Sequence, residues 1–216
     1  MEYKNNRISK RIGSVIKIIP PYSPIFTKQI YYTLIYPNNQ ISILTKSNSK
    51  EISGVTNYKK DVFFENNRIV KTIQYYQYIN EKNDVVYYTY KGNLLVKRLG
   101  YKGENLAFQS DYYYNAKNNL DSIVSRFSEY NASNEKLEID SKSIRRIKET
   151  FENYDEHINP LKSLIIFDDS FNRSLSSNNY QKYSYLNFNG KGDLLNEWNY
   201  TYDLKYDAQS VNFMQK

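Results

Sequence analysis

One short pattern returns along the chain and limits what it can fold into. An aromatic residue is followed by a polar turn rich in Asn or Gly, and then by an aliphatic residue that begins a new apolar alternation. It occurs as Tyr3 Lys4 Asn5 Asn6 Arg7 Ile8, Tyr36 Pro37 Asn38 Asn39 Gln40 Ile41, Phe64 Glu65 Asn66 Asn67 Arg68 Ile69, and Tyr90 Lys91 Gly92 Asn93 Leu94 Leu95. Two looser copies are Tyr114 Asn115 Ala116 Lys117 Asn118 Asn119 Leu120 and Phe188 Asn189 Gly190 Lys191 Gly192 Asp193 Leu194. Asn and Gly enter left-handed turn conformations at little steric cost, so each unit reads as the tip of a β-hairpin. Successive tips stand roughly 26 to 33 residues apart, the length of two strands and their other connection, which predicts a hairpin repeat and not a helical solenoid.

The segments between tips alternate as strands should. From Leu194 to Tyr206, Leu194, Trp198, Tyr200, Tyr202, Leu204 and Tyr206 share one parity, and Glu197, Asn199, Thr201, Asp203 and Lys205 share the other. A period of two means one buried or ligand-facing side and one wet side. Ile30, Tyr32, Leu34 and Tyr36 repeat this, as do Ile123 and Phe127. Ile73 to Tyr78, Val85 to Tyr90 and Tyr112 to Tyr114 instead carry aromatics on both parities. With Asn80 to Asp84 as the connecting loop, antiparallel pairing would place Tyr76 near Tyr87 and Tyr75 near Tyr88, and each such aromatic pair contributes about 0.2–1 kcal/mol to a sheet. Strands with rings on both faces are either covered by a further layer or open to a partner.

One segment departs from the β pattern. Asn159 and Pro160 offer an N-cap and a first-turn proline, and Leu161, Leu164, Ile165, Asp168, Phe171 and Leu175 follow at helical spacing until Ser176 Ser177 Asn178 Asn179. These residues predict one helix over 160–175, covering an end or edge of the sheet. Asn131 to Ser143 has no period and reads as a long connection. The expected fold is all-β, a many-stranded antiparallel meander forming a large twisted sheet or a barrel-like sheet, with one short helix near 160–175, in a single domain over 1–216.

Composition narrows the chemistry. The 216 residues include 24 Tyr, one His and no Cys, which excludes disulfides, thiolate metal sites and cysteine nucleophiles and weakens every His-based scheme. No stretch approaches the roughly 18 apolar residues of a spanning helix, and mean hydropathy is −0.76. The net charge of +7 is spread along the chain, with no block of five or six like charges, so it reads as solvated surface and nucleic acid is not the expected partner. No Gly-rich phosphate loop, metal-spaced ligand set or nucleophile elbow occurs, so the sequence assigns no catalytic residue, no metal and no cofactor. Asp168, Asp169, Asp155, Glu156 and His157 form the one acidic cluster, and an enzyme acting on carbohydrate would have to draw on it. Turn and first-turn acids are the ordinary explanation for such residues. No apolar run of signal-peptide type follows Met1, and the opening reads as the interior of a strand–turn–strand unit from which a leader has been removed.

The run Thr150 Phe151 Glu152 Asn153 Tyr154 Asp155 Glu156 His157 Ile158 Asn159 Pro160 Leu161 Lys162, then Ser174 Leu175 Ser176 Ser177 Asn178 Asn179, Asn189 Gly190 Lys191 Gly192 Asp193 Leu194 and Glu197 Trp198 Asn199 Tyr200 Thr201 Tyr202, resembles the C-terminal part of secreted Bacteroidota lipoproteins. They form a family of unknown function with a porin-like, many-stranded antiparallel fold. The tips also resemble, less specifically, the YD-type repeats of surface proteins. The resemblance implies an exported or cell-envelope protein, with a cytoplasmic location as the alternative. It supplies no catalytic residues, and its lipid-bearing Cys has no counterpart in this sequence.

The leading functional expectation is therefore a non-enzymatic cell-envelope or surface protein. Aromatic faces stack on sugar rings while Tyr hydroxyls and Asn amides orient polar ligands, so Tyr75, Tyr76, Tyr87, Tyr88 and Trp198 are the candidate binding residues for a glycan or other surface component. The plain structural alternative is that Trp198 and its even-numbered neighbours are core. An outer-membrane β-barrel needs strands of about 9–11 residues with a continuous apolar band; Leu194 to Tyr206 qualifies, whereas Lys71 to Gln77, Leu106 to Asp111 and Arg145 to Glu152 do not.

Overall fold

The computed structural model describes residues 1–16, 25–48, 58–76, 83–128, 145–206 and 211–215. The strands are β1 (Glu2–Lys4), β2 (Arg7–Ile16), β3 (Ile25–Ile35), β4 (Gln40–Ser47), β5 (Lys59–Glu65), β6 (Arg68–Tyr75), β7 (Asp84–Lys91), β8 (Leu94–Lys102), β9 (Asn105–Tyr114), β10 (Leu120–Phe127), β11 (Arg145–Tyr154), β12 (Tyr180–Phe188), β13 (Leu194–Tyr206) and β14 (Val211–Gln215). Each neighbours the next in chain order, and among the described residues no pairing joins β14 back to β1, so the antiparallel meander is open. The all-β expectation holds, and of its two forms the structure takes the open sheet.

The predicted tips are where the chain turns. Asn5 and Asn6 have φ of 51° and 58°, and Asn66 and Asn67 have 49° and 59°, the double left-handed geometry of a type I′ hairpin that Asn adopts readily. The two looser tips share one design. Asn115 Oδ1 accepts from the amides of Lys117 (2.9 Å) and Asn119 (3.1 Å), and Asn189 Oδ1 accepts from those of Lys191 (2.9 Å) and Asp193 (2.9 Å). A further tip at Lys102 Gly103 Glu104 Asn105 lies outside the predicted set; Gly103 supplies its positive φ of 61°. The expected connection over Asn131 to Ser143 lies outside the described residues.

The chain divides into two compact units, Met1–Tyr87 and Tyr88–Lys216. In the first, Leu34 pairs with Ile43 and Ile41 with Val62, which gathers Leu34, Ile43 and Val62 on one buried face. The opposite face buries a carboxylate, since Asp61 is only 3% exposed. Its Oδ1 accepts from Ser42 Oγ at 2.6 Å and its Oδ2 from Lys59 Nζ at 2.8 Å. Burial pushes the Asp61 carboxyl up, but the Lys59 and Ser42 bonds outweigh it and hold the group below its usual range.

In the second unit the buried cluster is Leu95, Tyr112, Leu120, Ile123, Phe151, Phe171 and Tyr180, with Tyr88, Tyr90, Tyr114, Tyr154, Ile165, Leu175, Tyr183 and Tyr202 packed against it. Phe151 and Tyr154 both join this cluster although three residues apart, a spacing that a regular strand sends to opposite faces. Asn153 between them has φ of 53°, and this left-handed residue resets the alternation.

The predicted helix over 160–175 is two short pieces. A 3-10 helix spans Pro160–Leu164, turns follow, and α1 covers only Phe171–Ser174. Ile166 and Phe167, off the predicted helical stripe, are buried together with Leu164 and Phe171. A compact knot of turns can bury side chains all round, whereas one surface helix buries a single stripe. The start is as predicted, with the Asn159 side chain capping the Leu161 amide at 2.9 Å and donating to the carbonyls of Arg173 (2.6 Å) and Ser176 (3.1 Å). This insert is tied to the tip between β9 and β10. Asn119 Nδ2 donates to Asn178 Oδ1 at 3.0 Å, Asn178 N donates back to Asn119 Oδ1 at 2.9 Å, and the Leu120 amide donates to Ser176 Oγ at 3.0 Å.

Candidate functional site

Strand register in the second unit lays out one continuous face. Arg98 pairs with Ser110, Ser110 with Ser125, Ser125 with Ile147, Ile147 with Asn187 and Asn187 with Asn196, so one row crosses from β8 to β13. The next row runs Tyr112, Ile123, Glu149, Tyr185, Trp198, and a third holds Phe151, Tyr183, Tyr200.

At the β12–β13 end these rows form an aromatic ladder. The Tyr185 and Trp198 rings lie 4.7 Å apart, and Tyr183 and Tyr200 stack at 5.9 Å with planes 28° apart. All four are half-buried, and Tyr183 also packs against the buried cluster. The even parity expected of β13 holds from Asn196 to Tyr202, and Tyr202 packs against the buried cluster; an irregularity at Asn187 and Phe188 breaks it before Asn196, so Leu194 pairs with Phe188 on the other face and is 50% exposed. Polar groups edge the ladder. Arg145 Nε donates to Asn187 Oδ1 at 2.8 Å, and the Tyr183 hydroxyl donates to Glu149 Oε2 at 2.6 Å. Burial and the Glu149 carboxylate push the Tyr183 hydroxyl pKa up, and burial does the same for Tyr185 and Tyr202, so these hydroxyls stay protonated donors at neutral pH.

Where the insert reaches the same face, a cavity of about 220 Å³ opens, lined by Arg98, Phe108, Ser110, Tyr112, Ile123, Ser125, Phe127, Glu149 and Asn172. Arg98 sits among the rings of Tyr88 (5.4 Å), Phe108 (5.6 Å) and Phe171 (4.8 Å), and its Nη1 donates to the Tyr112 hydroxyl at 3.2 Å. Its Nε is buried without a hydrogen-bond partner, while the side chain as a whole keeps partial exposure. Burial opposes the guanidinium charge, yet Tyr112, Tyr88 and Asp168 raise its pKa further. Burial pushes the Tyr112 hydroxyl up to about 12, partly offset by Arg98. Glu149 Oε2 also accepts from Asn172 Nδ2 at 3.5 Å, a polar contact of α1 with the sheet face.

The sequence candidates separate. Tyr88 is covered, its ring edge-on to Phe171 at 6.0 Å. Tyr87, on the other parity of β7, is 46% exposed with Lys71 Nζ 5.7 Å from its ring centre. Lys59 lies over Tyr75 at 5.0 Å, and the Tyr76 hydroxyl donates to the Asp84 carboxylate. The expected Tyr76–Tyr87 and Tyr75–Tyr88 pairs do not form. β6 and β7 pair Lys71 with Tyr87 and Gln74 with Asp84, because Asp84 already begins a strand and the register shifts with it. Trp198 meets Tyr185.

The acidic cluster lies in the turns of the insert and at its base. Asp168 and Asp169 lie in turns and not on a helix, and Asp169 accepts from Ser170 Oγ at 3.0 Å. Asp155 Oδ1 accepts from the amides of His157 (3.2 Å) and Asn179 (3.0 Å), closing the insert at its base. Arg98 and Glu149 escape sequence reasoning, since a single charge in a strand reads as surface. The available signal is Gly100, two residues from Arg98, because a glycine inside a strand marks a close approach. A Cβ there would collide with the Phe108 ring.

No known protein family matches the sequence, and neither does any curated protein. Solved structures do. A porin-like protein from Bacteroides vulgatus superposes with a TM-score of 0.52 at 15% identity, over 83% of this chain and 78% of that one. A porin-like protein from Bacteroides uniformis gives a TM-score of 0.44 at 7% identity, over 94% of this chain and 80% of the other. The many-stranded antiparallel meander is thus a fold that this chain shares with the Bacteroides vulgatus protein.

Proposed function

We propose that the chain is a non-enzymatic protein of the cell envelope or cell surface that binds a glycan or another surface component through half-buried aromatic rings of its Tyr-rich strands. The observation that carries this is the ladder of Tyr185, Trp198, Tyr183 and Tyr200, half-buried and edged by Arg145, Asn187 and Glu149. Flat rings flanked by fixed donors and acceptors suit the alternating apolar and hydroxyl surfaces of a sugar. Of the sequence candidates, Trp198 and Tyr87 retain ring surface for a partner, whereas Tyr88 is taken up by packing. The envelope location is supported by the fold shared with a porin-like protein. The test is a glycan array on the purified chain, followed by titration of any hit against Trp198→Ala and Tyr185→Ala. The expected result is at least a tenfold loss of affinity, about 1.4 kcal/mol. An array blank for the wild type, or hits indifferent to both substitutions, overturns the binding half. Heat-modifiable migration with an absolute need for detergent would favour an outer-membrane barrel instead.

A further inference from the structure

The cavity beneath the insert is distinct in chemistry from the open ladder. It brings a cation and an anion, Arg98 and Glu149, to one space of about 220 Å³. Among the described residues the two form no ion pair with each other, although each is held in place by a hydroxyl: Tyr112 on Arg98 at 3.2 Å and Tyr183 on Glu149 at 2.6 Å. Between them the floor is Ile123 with the Ser110 and Ser125 hydroxyls, which are bonded to each other at 2.7 Å, and the walls include Phe108 and Phe127. The Arg98 Nε is buried without a hydrogen-bond partner, and a ligand bearing both charges would meet this donor and the Glu149 carboxylate at once.

We propose that this cavity, beyond the surface binding above, is a site for a small zwitterion of the α-amino acid class, with the ligand carboxylate directed to Arg98 and its ammonium to Glu149 and Asn172. Size sets the class. Drug-sized ligands occupy pockets of about 300–1,000 Å³, and a water takes about 30 Å³ of liquid volume, so this space suits a compound far smaller than an oligosaccharide. Arg supplies a planar fork that matches a carboxylate, and Glu149 Oε1 stands beside an oxygen already bonded to Tyr183 and Asn172. The Ser110–Ser125 pair satisfies itself, so the floor makes no demand that a small aliphatic side chain would leave unmet.

The test is isothermal titration of the full chain with glycine, L-alanine and L-serine, each set against probes lacking one charge, glycinamide and propionate, and against D-glucose. The expected result is saturable binding of at least one amino acid, with both single-charge probes at least tenfold weaker. Glu149→Gln keeps the volume and removes the anion; it should weaken the amino acid at least tenfold while leaving propionate unchanged. Asn172→Ala, on the insert surface and outside the buried cluster, provides a second variant with the same direction and a smaller effect. Glycan binding through Trp198 should survive Asn172→Ala, a residue with no part in the ladder, which separates failure of this site from failure of the ladder. Absence of binding by all three amino acids, equal affinity for propionate, or glucose as the tightest ligand overturns the proposal.

Discussion

Gly100→Ala tests the close approach beside the cavity. Two effects oppose each other. In a strand, alanine restricts the unfolded chain more than glycine does, which favours the folded state by about 0.4–1 kcal/mol where the backbone conformation allows it. Against that, Gly100 stands opposite Phe108 in the β8–β9 ladder, and a Cβ at position 100 would sit inside the space of the Phe108 ring. That ring is not free to swing away at no cost, since Phe127 lies 6.0 Å from it and the Arg98 guanidinium 5.6 Å. Overpacking of this kind costs about 1–3 kcal/mol, so the collision wins and the net expectation is a loss of about 1–2 kcal/mol. For a chain of this length that is a fall in Tm of about 2–8 °C. Urea unfolding of wild type, Gly100→Ala, Phe108→Ala and the double variant gives the coupling directly. With the ring removed, the same glycine-to-alanine change should be neutral or stabilising, so the cycle should show at least about 1 kcal/mol of interaction. An unchanged or raised stability for Gly100→Ala in the wild-type background, or a strictly additive cycle, would refute the steric account.

Asn119→Ala removes both bonds to Asn178 from a fully buried position and should cost about 2–4 kcal/mol by urea unfolding, with faster hydrogen exchange confined first to 155–179. Asp61 has a folded pKa below its unfolded value, so its contribution is present above about pH 4 and is lost as pH falls through the folded pKa. The stability difference between wild type and Asp61→Asn should therefore shrink steadily below about pH 4 in an acid series; a gap that is constant with pH counts against it. Tyr112 and Tyr154 are both pushed up to about 12 by burial, so the unfolded chain releases these protons first and stability should fall as pH rises above about 10, followed by unfolding at pH 9 to 11. Tyr154→Phe and Tyr112→Phe should each flatten part of that decline.

What can be foreseen from sequence is local chemistry. Asn5 Asn6 and Asn66 Asn67 fix their turns through their own backbone preferences, and Asn159 caps the helix start through its own side chain. What fails depends on distant partners. Leu161, Leu164, Phe171 and Leu175 fall at helical spacing because successive tight turns also bring every third or fourth residue to the same side; Ile166 and Phe167 reveal the difference, since they are buried where a helix would expose them. The β6–β7 register follows a loop boundary that alternation does not encode, and a shift there replaces the expected Tyr76–Tyr87 pair with Lys71 opposite Tyr87. Arg98 and Glu149 converge only because the strands from β8 to β11 and the insert are in register, so neither residue's local context distinguishes it from a solvated charge.

The same physics explains why a chain with 24 Tyr and 30 Lys and Arg need not address a polyanion. In the first unit the face opposite Leu34, Ile43 and Val62 buries Ser42 and Asp61 with no helix or second sheet among its described residues. Their cover is the neighbouring long side chains: Lys59 over Tyr75 at 5.0 Å, Lys71 over Phe63 at 5.6 Å and over Tyr87 at 5.7 Å, with Lys10 over Tyr31 at 5.1 Å on β2 and β3. A cation over a ring contributes about 0.5–1 kcal/mol at an exposed site, and the aliphatic stem shields whatever lies beneath. Basic and aromatic residues alternating across strands thus act as a roof for short polar residues, and Lys10, Lys59 and Lys71 are engaged in it. Replacing Lys59 with Ala should then do more than remove an ion pair: it uncovers Asp61 as well as unpairing it, and the acid-dependent part of the chain's stability should change together with its midpoint in urea at pH 7. A Lys59→Ala protein that loses stability equally at pH 3 and pH 7 would mean that only the stem matters and the carboxylate does not.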